Sequence, residues 1–124
     1  MRKIIKLMSA VTSTTSSGSV NILGAKRVVL LADRSTHASG SATITAKVGV
    51  GATLVDYKKW ISNATNSNAE GLTRVANLVL SSKTGDFITM SPEDSFEFIK
   101  VTDTELGSGA TSVWLIVDYE DDIK

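Results

Sequence analysis

The residues able to do chemistry in this chain are few and scattered. His37 is the single histidine, cysteine is absent, and the acidic groups gather at Pro92-Glu-Asp94 and in a run of Asp118, Glu120, Asp121 and Asp122. A histidine acting as general base needs an acid to orient it and an oxyanion hole nearby, and no motif supplies either. Its surroundings, Arg34-Ser-Thr-His37-Ala-Ser-Gly40, read as a surface loop. Paired carboxylates hydrolyse glycosidic bonds when two of them face one cleft, which neighbours in a terminal run rarely do. The same run lacks the Asp-x-Asp-x-Asp-Gly spacing that wraps calcium, and one histidine without cysteine is a poor zinc site. Gly49-Val-Gly51 has no Gly-Lys-Ser/Thr behind it, so there is no phosphate loop. The expectation is a protein that is not an enzyme, with no catalytic residue, no metal and no cofactor.

Binding chemistry has two candidates. Tyr57 and Trp60 stand beside the asparagine-rich stretch of Asn63, Asn66 and Asn68. Aromatic faces stack on sugar rings and asparagine amides bond their hydroxyls, so this is a possible glycan platform. The plainer reading puts Trp60 and Trp114 in the core. The second candidate is electrostatic. Arg2, Lys3 and Lys6 make the first residues basic, while Asp118, Glu120, Asp121 and Asp122 make the last ones acidic. Opposite charges across paired strands are favourable, so the N-terminal strand is expected beside the C-terminal one, in the same subunit or a neighbour. These terminal charges and the asparagines are the expected protein contacts. Lys26-Arg27 and Lys58-Lys59 are isolated basic pairs without a stacking series, so nucleic acid is not an expected partner.

The elements that would position these groups are extended. Ser and Thr supply 30 of 124 residues, many at every second position beside Val, Ile or Ala. Ser41–Val50 alternates most clearly, with Ala42, Ile44, Ala46, Val48 and Val50 on one face. Thr53–Ile61 is expected to pair with it across Gly49-Val-Gly-Ala52. Further strands are expected at Ile4–Val11, Lys26–Ala32, Asp86–Met90, Phe96–Thr102 and Thr111–Asp118, the last two as a closing pair. A short apolar stretch lies at Val20–Leu23. Leu72–Ser81 carries both helical and extended signals and is read as strand because strands flank it. Thr12–Ser19, Asp33–Gly40 and Ser62–Gly71 read as loops. About eight short strands separated by turn residues predict an all-β chain. Its 124 residues form a single antiparallel β-sandwich or jelly-roll-like domain with an extended N-terminal segment over about 1–24.

Thirteen basic and thirteen acidic residues cancel, so no general pull toward nucleic acid or an anionic membrane exists. No apolar run is long enough to span a bilayer as a helix, and Lys6 interrupts what would be a signal-like stretch. The strands themselves carry a resemblance. Ser41-Ala-Thr-Ile-Thr-Ala-Lys-Val48, Tyr57-x-x-Trp-Ile-x-Asn63, Leu72-Thr-Arg-Val75, Phe96-Glu-Phe-Ile-Lys-Val-Thr102 and Ser112-Val-Trp-Leu-Ile116 together resemble small β-sandwich structural proteins of tailed bacteriophages. That group includes head decoration (cement) proteins, head fibres and tail-associated sandwiches. The likeness covers roughly three-fifths of the chain and transfers no site residue. It implies a virion protein assembled in the host cytoplasm. Its partner would be the major capsid protein or another virion protein, and it would form a homo-oligomer, with a trimer favoured. The other class of function is a carbohydrate- or receptor-binding module, in which Tyr57 and Trp60 would face solvent.

Overall fold

A computed structural model describes residues 1–62 and 73–119. Its strands are β1 (Arg2–Val11), β2 (Thr15–Ser16), β3 (Val20–Asn21), β4 (Ala25–His37), β5 (Ser41–Val50) and β6 (Thr53–Asp56). They continue with β7 (Trp60–Ser62), β8 (Thr73–Val75), β9 (Leu78–Leu80), β10 (Gly85–Thr89), β11 (Phe98–Leu106) and β12 (Gly109–Tyr119). There is no helix among the described residues, hence none long and apolar enough to cross a membrane.

The strands form two antiparallel sheets packed face to face, an all-β sandwich. The first runs β1-β12-β4-β10-β7-β8, and the second β2-β11-β5-β6, with β3 also on β11 and β9 also on β5. Period-two alternation builds the core between them. Ala42, Ile44, Ala46 and Val48 of β5 and Ile99 and Val101 of β11 meet Leu30 and Ala32 of β4 and Val113, Leu115 and Val117 of β12. Each buried aliphatic side chain contributes about 1.5–3 kcal/mol relative to exposure, which is what orders strands that are otherwise rich in Ser and Thr.

Consecutive strands change sheet more often than their sequence suggests. Phe98–Leu106 and Gly109–Tyr119 are not a closing pair: β11 lies on β5, and β12 lies between β1 and β4. Their connection is an arch from one sheet to the other, as is the one from β4 to β5. The two arches stack on each other. The amides of Ala38 and Ser39 donate to Ser108 O at 2.8 and 3.0 Å, and the Ser108 amide returns to Ser39 O at 3.1 Å. Gly40 and Gly107, at φ 79° and 86°, make the crossings. A Cβ on Gly40 would collide with the Leu106 carbonyl.

Four other expectations change. Only Thr53–Asp56 returns along β5, across a two-residue turn at Gly51-Ala52, after which Trp60–Ser62 joins the first sheet. Thr73–Val75 and Leu78–Leu80 are both extended but belong to different sheets. β4 runs on through His37, so the loop expected over Asp33–Gly40 is mostly strand. Within Thr12–Ser19, β2 pairs with Thr102 and Asp103, and Ser17 exchanges hydrogen bonds with Val101.

Candidate functional site

Arg2 and Asp118, one pair of the terminal charges, meet as their signs require. β1 is the outermost strand of the first sheet and lies against β12, with Arg2 opposite Asp118. Arg2 Nε and Nη2 donate to the two Asp118 oxygens at 2.7 and 3.1 Å. The hydrogen bond from Arg2 holds the Asp118 carboxyl below its ordinary value. Lys3 is exposed opposite Val117, and Lys6 Nζ lies 5.2 Å above the Trp114 ring, an attraction between cation and π-face. Asn63, Asn66, Asn68, Glu120 and Asp121 lie outside the described residues.

The glycan platform is not formed. Trp60 is 0% exposed and Tyr57 4%, so neither presents a ring face to solvent. Trp60 alternates inward at the start of β7, and its ring meets Tyr57 edge-on at 4.9 Å and 83°. Tyr57 OH accepts from the Ser91 amide at 2.9 Å and donates to Asp94 Oδ2 at 2.8 Å. Burial and the bond to Asp94 raise the phenol well above its ordinary value. Tyr57 thus pins the 91–94 turn onto the core, which is a structural task. An open cleft of about 220 Å³ is lined by Val48, Val55, Asp56, Tyr57, Lys58, Lys59, Asp94 and Phe96; Tyr57 borders it but is only 4% exposed, and Trp60 does not reach it.

A cluster that the sequence did not single out lies between the sheets near the two arches. Arg34 is fully buried. Its Nη1 donates to Glu105 Oε1 at 2.7 Å and to Thr111 Oγ1 at 3.4 Å. Nη2 donates to Ser39 O at 3.1 Å and Nε to His37 Nδ1 at 3.0 Å. His37 therefore accepts at Nδ1 in this contact. Asp103, also fully buried, is pushed up to about 8, by burial first and then by its neighbour Glu105. Burial raises Glu105 too, but hydrogen bonds with Asp103, Thr111 and Arg34 outweigh it and leave Glu105 below its ordinary value. The Asp103 oxygens and Glu105 Oε2 have no other partner. A proton on Asp103, shared with Glu105, satisfies one oxygen of each and leaves Arg34, Glu105 and Asp103 neutral as a set. Among the described residues no group of three or more metal-ligating side chains gathers to hold an ion.

The signal for this cluster was the same period of two that builds the core. Arg34 follows Leu30 and Ala32 at even spacing, and Asp103 and Glu105 follow Ile99 and Val101, so all three point inward.

The outer face of the first sheet is the remaining feature. Cross-strand register puts Ile4, Ile116, Val29, Thr89 and Ile61 in one row, and Lys6, Trp114, Leu31 and Phe87 in the next. Val29 is 7% exposed and is not part of the core cluster. Ile4 and Phe87 are 64% and 44% exposed. The two adjacent rows, apolar but for Thr89 and Lys6, run across four or five strands as one patch.

No family model and no curated protein matches this chain. Among solved structures, the SPBc2 prophage-derived protein YomS superposes with a TM-score of 0.66, at 12% identity, over 94% of this chain and 92% of its own. PirA aligns with a TM-score of 0.43 and 13% identity over 94% and 90% of the two chains. The second alignment is too loose to carry an argument. The first shows a shared fold.

Proposed function

We propose that this chain is a structural protein of a phage particle, without enzymatic turnover, and that its specific role is to decorate the head by binding across capsid subunits. The observation that carries this reading is the end-to-end likeness of fold to a prophage-derived protein, YomS. It agrees with the strand motifs that resemble virion sandwiches. The geometry adds a physical rationale. Two sheets tied by stacked arches and a buried ionic cluster make a stiff body, and a stiff body loses little conformational entropy on docking. Its basic outer strand β1, with Lys3 and Lys6 exposed, offers charged contacts along one edge. Many copies bound to adjacent subunits would reinforce a shell although each binds weakly.

Quantitative mass spectrometry of purified particles from the source phage tests the reading. A structural component is present in many copies per particle and survives stringent washing. Its absence from particles made in cells that express it would contradict the proposal. With Tyr57 and Trp60 buried, no observation favours the glycan-binding alternative.

A further inference from the structure

We propose that the outer face of the first sheet binds a second copy of this chain through a two-fold contact centred on β4. The residues of β4 that point outward are, in order, Arg27, Val29, Leu31 and Asp33. That order is a cation, two apolar side chains and an anion. Turning a second copy by 180° about an axis across the strands brings Arg27 over the partner's Asp33, Asp33 over the partner's Arg27, and Val29 over the partner's Leu31. A surface complementary to itself under such a rotation is what an isologous pair requires.

The charges at both ends are available for this. Asp33 makes no hydrogen bond or ion pair among the described residues, and Arg27 acts on Asp118 only through its charge. Opposite Asp33 on β10 stands Gly85, whose missing side chain leaves the carboxylate open from outside. Asp33 Oδ1 lies 3.2 Å from where a Cβ would sit. Between the charged ends lie the two apolar rows, with Phe87 and Ile4 the most exposed.

The edge of the same sheet is a poorer place for a copy to bind. β1 carries Arg2, Lys3 and Lys6, and its register shifts twice, with Ala10 at φ 49°. Basic side chains and bulges are the usual guards against edge-to-edge pairing. The face carries a single lysine, Lys6, at its β1 border, where Nζ lies over the Trp114 ring, and a net charge of zero means that copies do not repel one another. Four strands at about 4.8 Å spacing and six residues at about 3.3 Å make a patch of roughly 400 Å² per copy, about 800 Å² in all, which is below the size of a standard specific interface. The pair is therefore weak and concentration-dependent. It also sets the two β1 strands on one side of the dimer. A pair differs from the trimer expected from the sequence resemblance.

Sedimentation equilibrium of the whole chain tests this, with circular dichroism to verify folding of each variant. The wild type is expected to dimerise reversibly. Arg27→Glu and Asp33→Lys should each raise the dimer Kd by at least about tenfold, and the two together should restore it to within about threefold. Phe87→Lys, at an exposed position, should weaken the dimer without touching either charge. A wild type that stays monomeric up to about 500 μM, where a contact worth about 5 kcal/mol or more would already show, would overturn the proposal. So would a dimer indifferent to both Arg27→Glu and Phe87→Lys. Neither result bears on whether particles contain the protein, because the contact rests on the face alone.

Discussion

Three buried ionisable residues in this molecule are balanced by a single proton. Arg34 and Glu105 form an ion pair whose side chains are 0% and 3% exposed, and Asp103 beside them stays neutral by keeping its hydrogen. The folded chain holds that proton up to about pH 8, while the unfolded chain releases it near its ordinary value of 3.8. Between these limits the folded state binds the extra proton. Asp103 therefore makes stability fall as pH rises toward about 8, by up to about 1.4 kcal/mol per pH unit, and adds no slope above it. Asp103→Asn keeps a donor for Glu105 and should flatten that slope in urea unfolding followed from about pH 5 to pH 9. A variant with the wild-type slope would show that the proton resides elsewhere. Removing the cation has a different cost. Arg34→Met strands the Glu105 charge and should destabilise by about 3–5 kcal/mol, most of it recovered on adding Glu105→Leu; denaturant titration of the three proteins checks this. The cluster was hard to read because Arg34 heads Ser-Thr-His-Ala-Ser-Gly, a loop-like composition. Only the parity it shares with Leu30 and Ala32 reveals that it faces inward. Trp60 was legible as a core residue in its plainer reading, whereas Tyr57 was singled out only for its chemistry, since an aromatic in a strand gives the same signal on either face.

At the level of elements, the stacked arches decide which strands are neighbours. A hairpin and an arch use the same turn residues, so Asp103–Ala110, with its two glycines, reads naturally as a hairpin loop. What separates them is the contact between Ser39 and Ser108, about seventy residues apart and invisible to any local window. Gly40→Ala would force a side chain to φ 79° and against the Leu106 carbonyl. It should cost more than about 1 kcal/mol, seen as a lower melting temperature. An unchanged melting temperature would mean that the arches do not depend on this crossing. β5 was legible almost residue by residue because one face is buried and the other half-exposed, the condition under which alternation is strict. Thr53–Ile61 and Leu72–Ser81 were legible as extended but not as divided, because a strand that changes sheet keeps its propensity while its partners change. The approach of β1 to β12 could be anticipated because it rests on charge, and Arg2 and Asp118 sit directly across the ladder. Arg2→Glu should lower the melting temperature by facing Asp118 with a like charge, and added salt should shrink the loss. A loss that persists undiminished in high salt would point to packing by the Arg2 stem in place of charge.

For the whole molecule, a stiff neutral sandwich with a self-complementary face and one basic edge suits repeated assembly. The likeness to YomS extends over nearly the full length of both chains, so it concerns the whole architecture and not one shared motif. Pairing through the face would set the β1 edges of the two copies on one side, which fits the proposed attachment to a shell at two points. The most direct measurement is co-sedimentation of purified protein with expanded empty heads and, separately, with isolated tails from the source phage. The account predicts saturable binding to heads at a fixed ratio to the capsid subunit, weakened by charge reversal at Lys3 and Lys6, and none to tails. Binding to tails alone, or to neither, would contradict it.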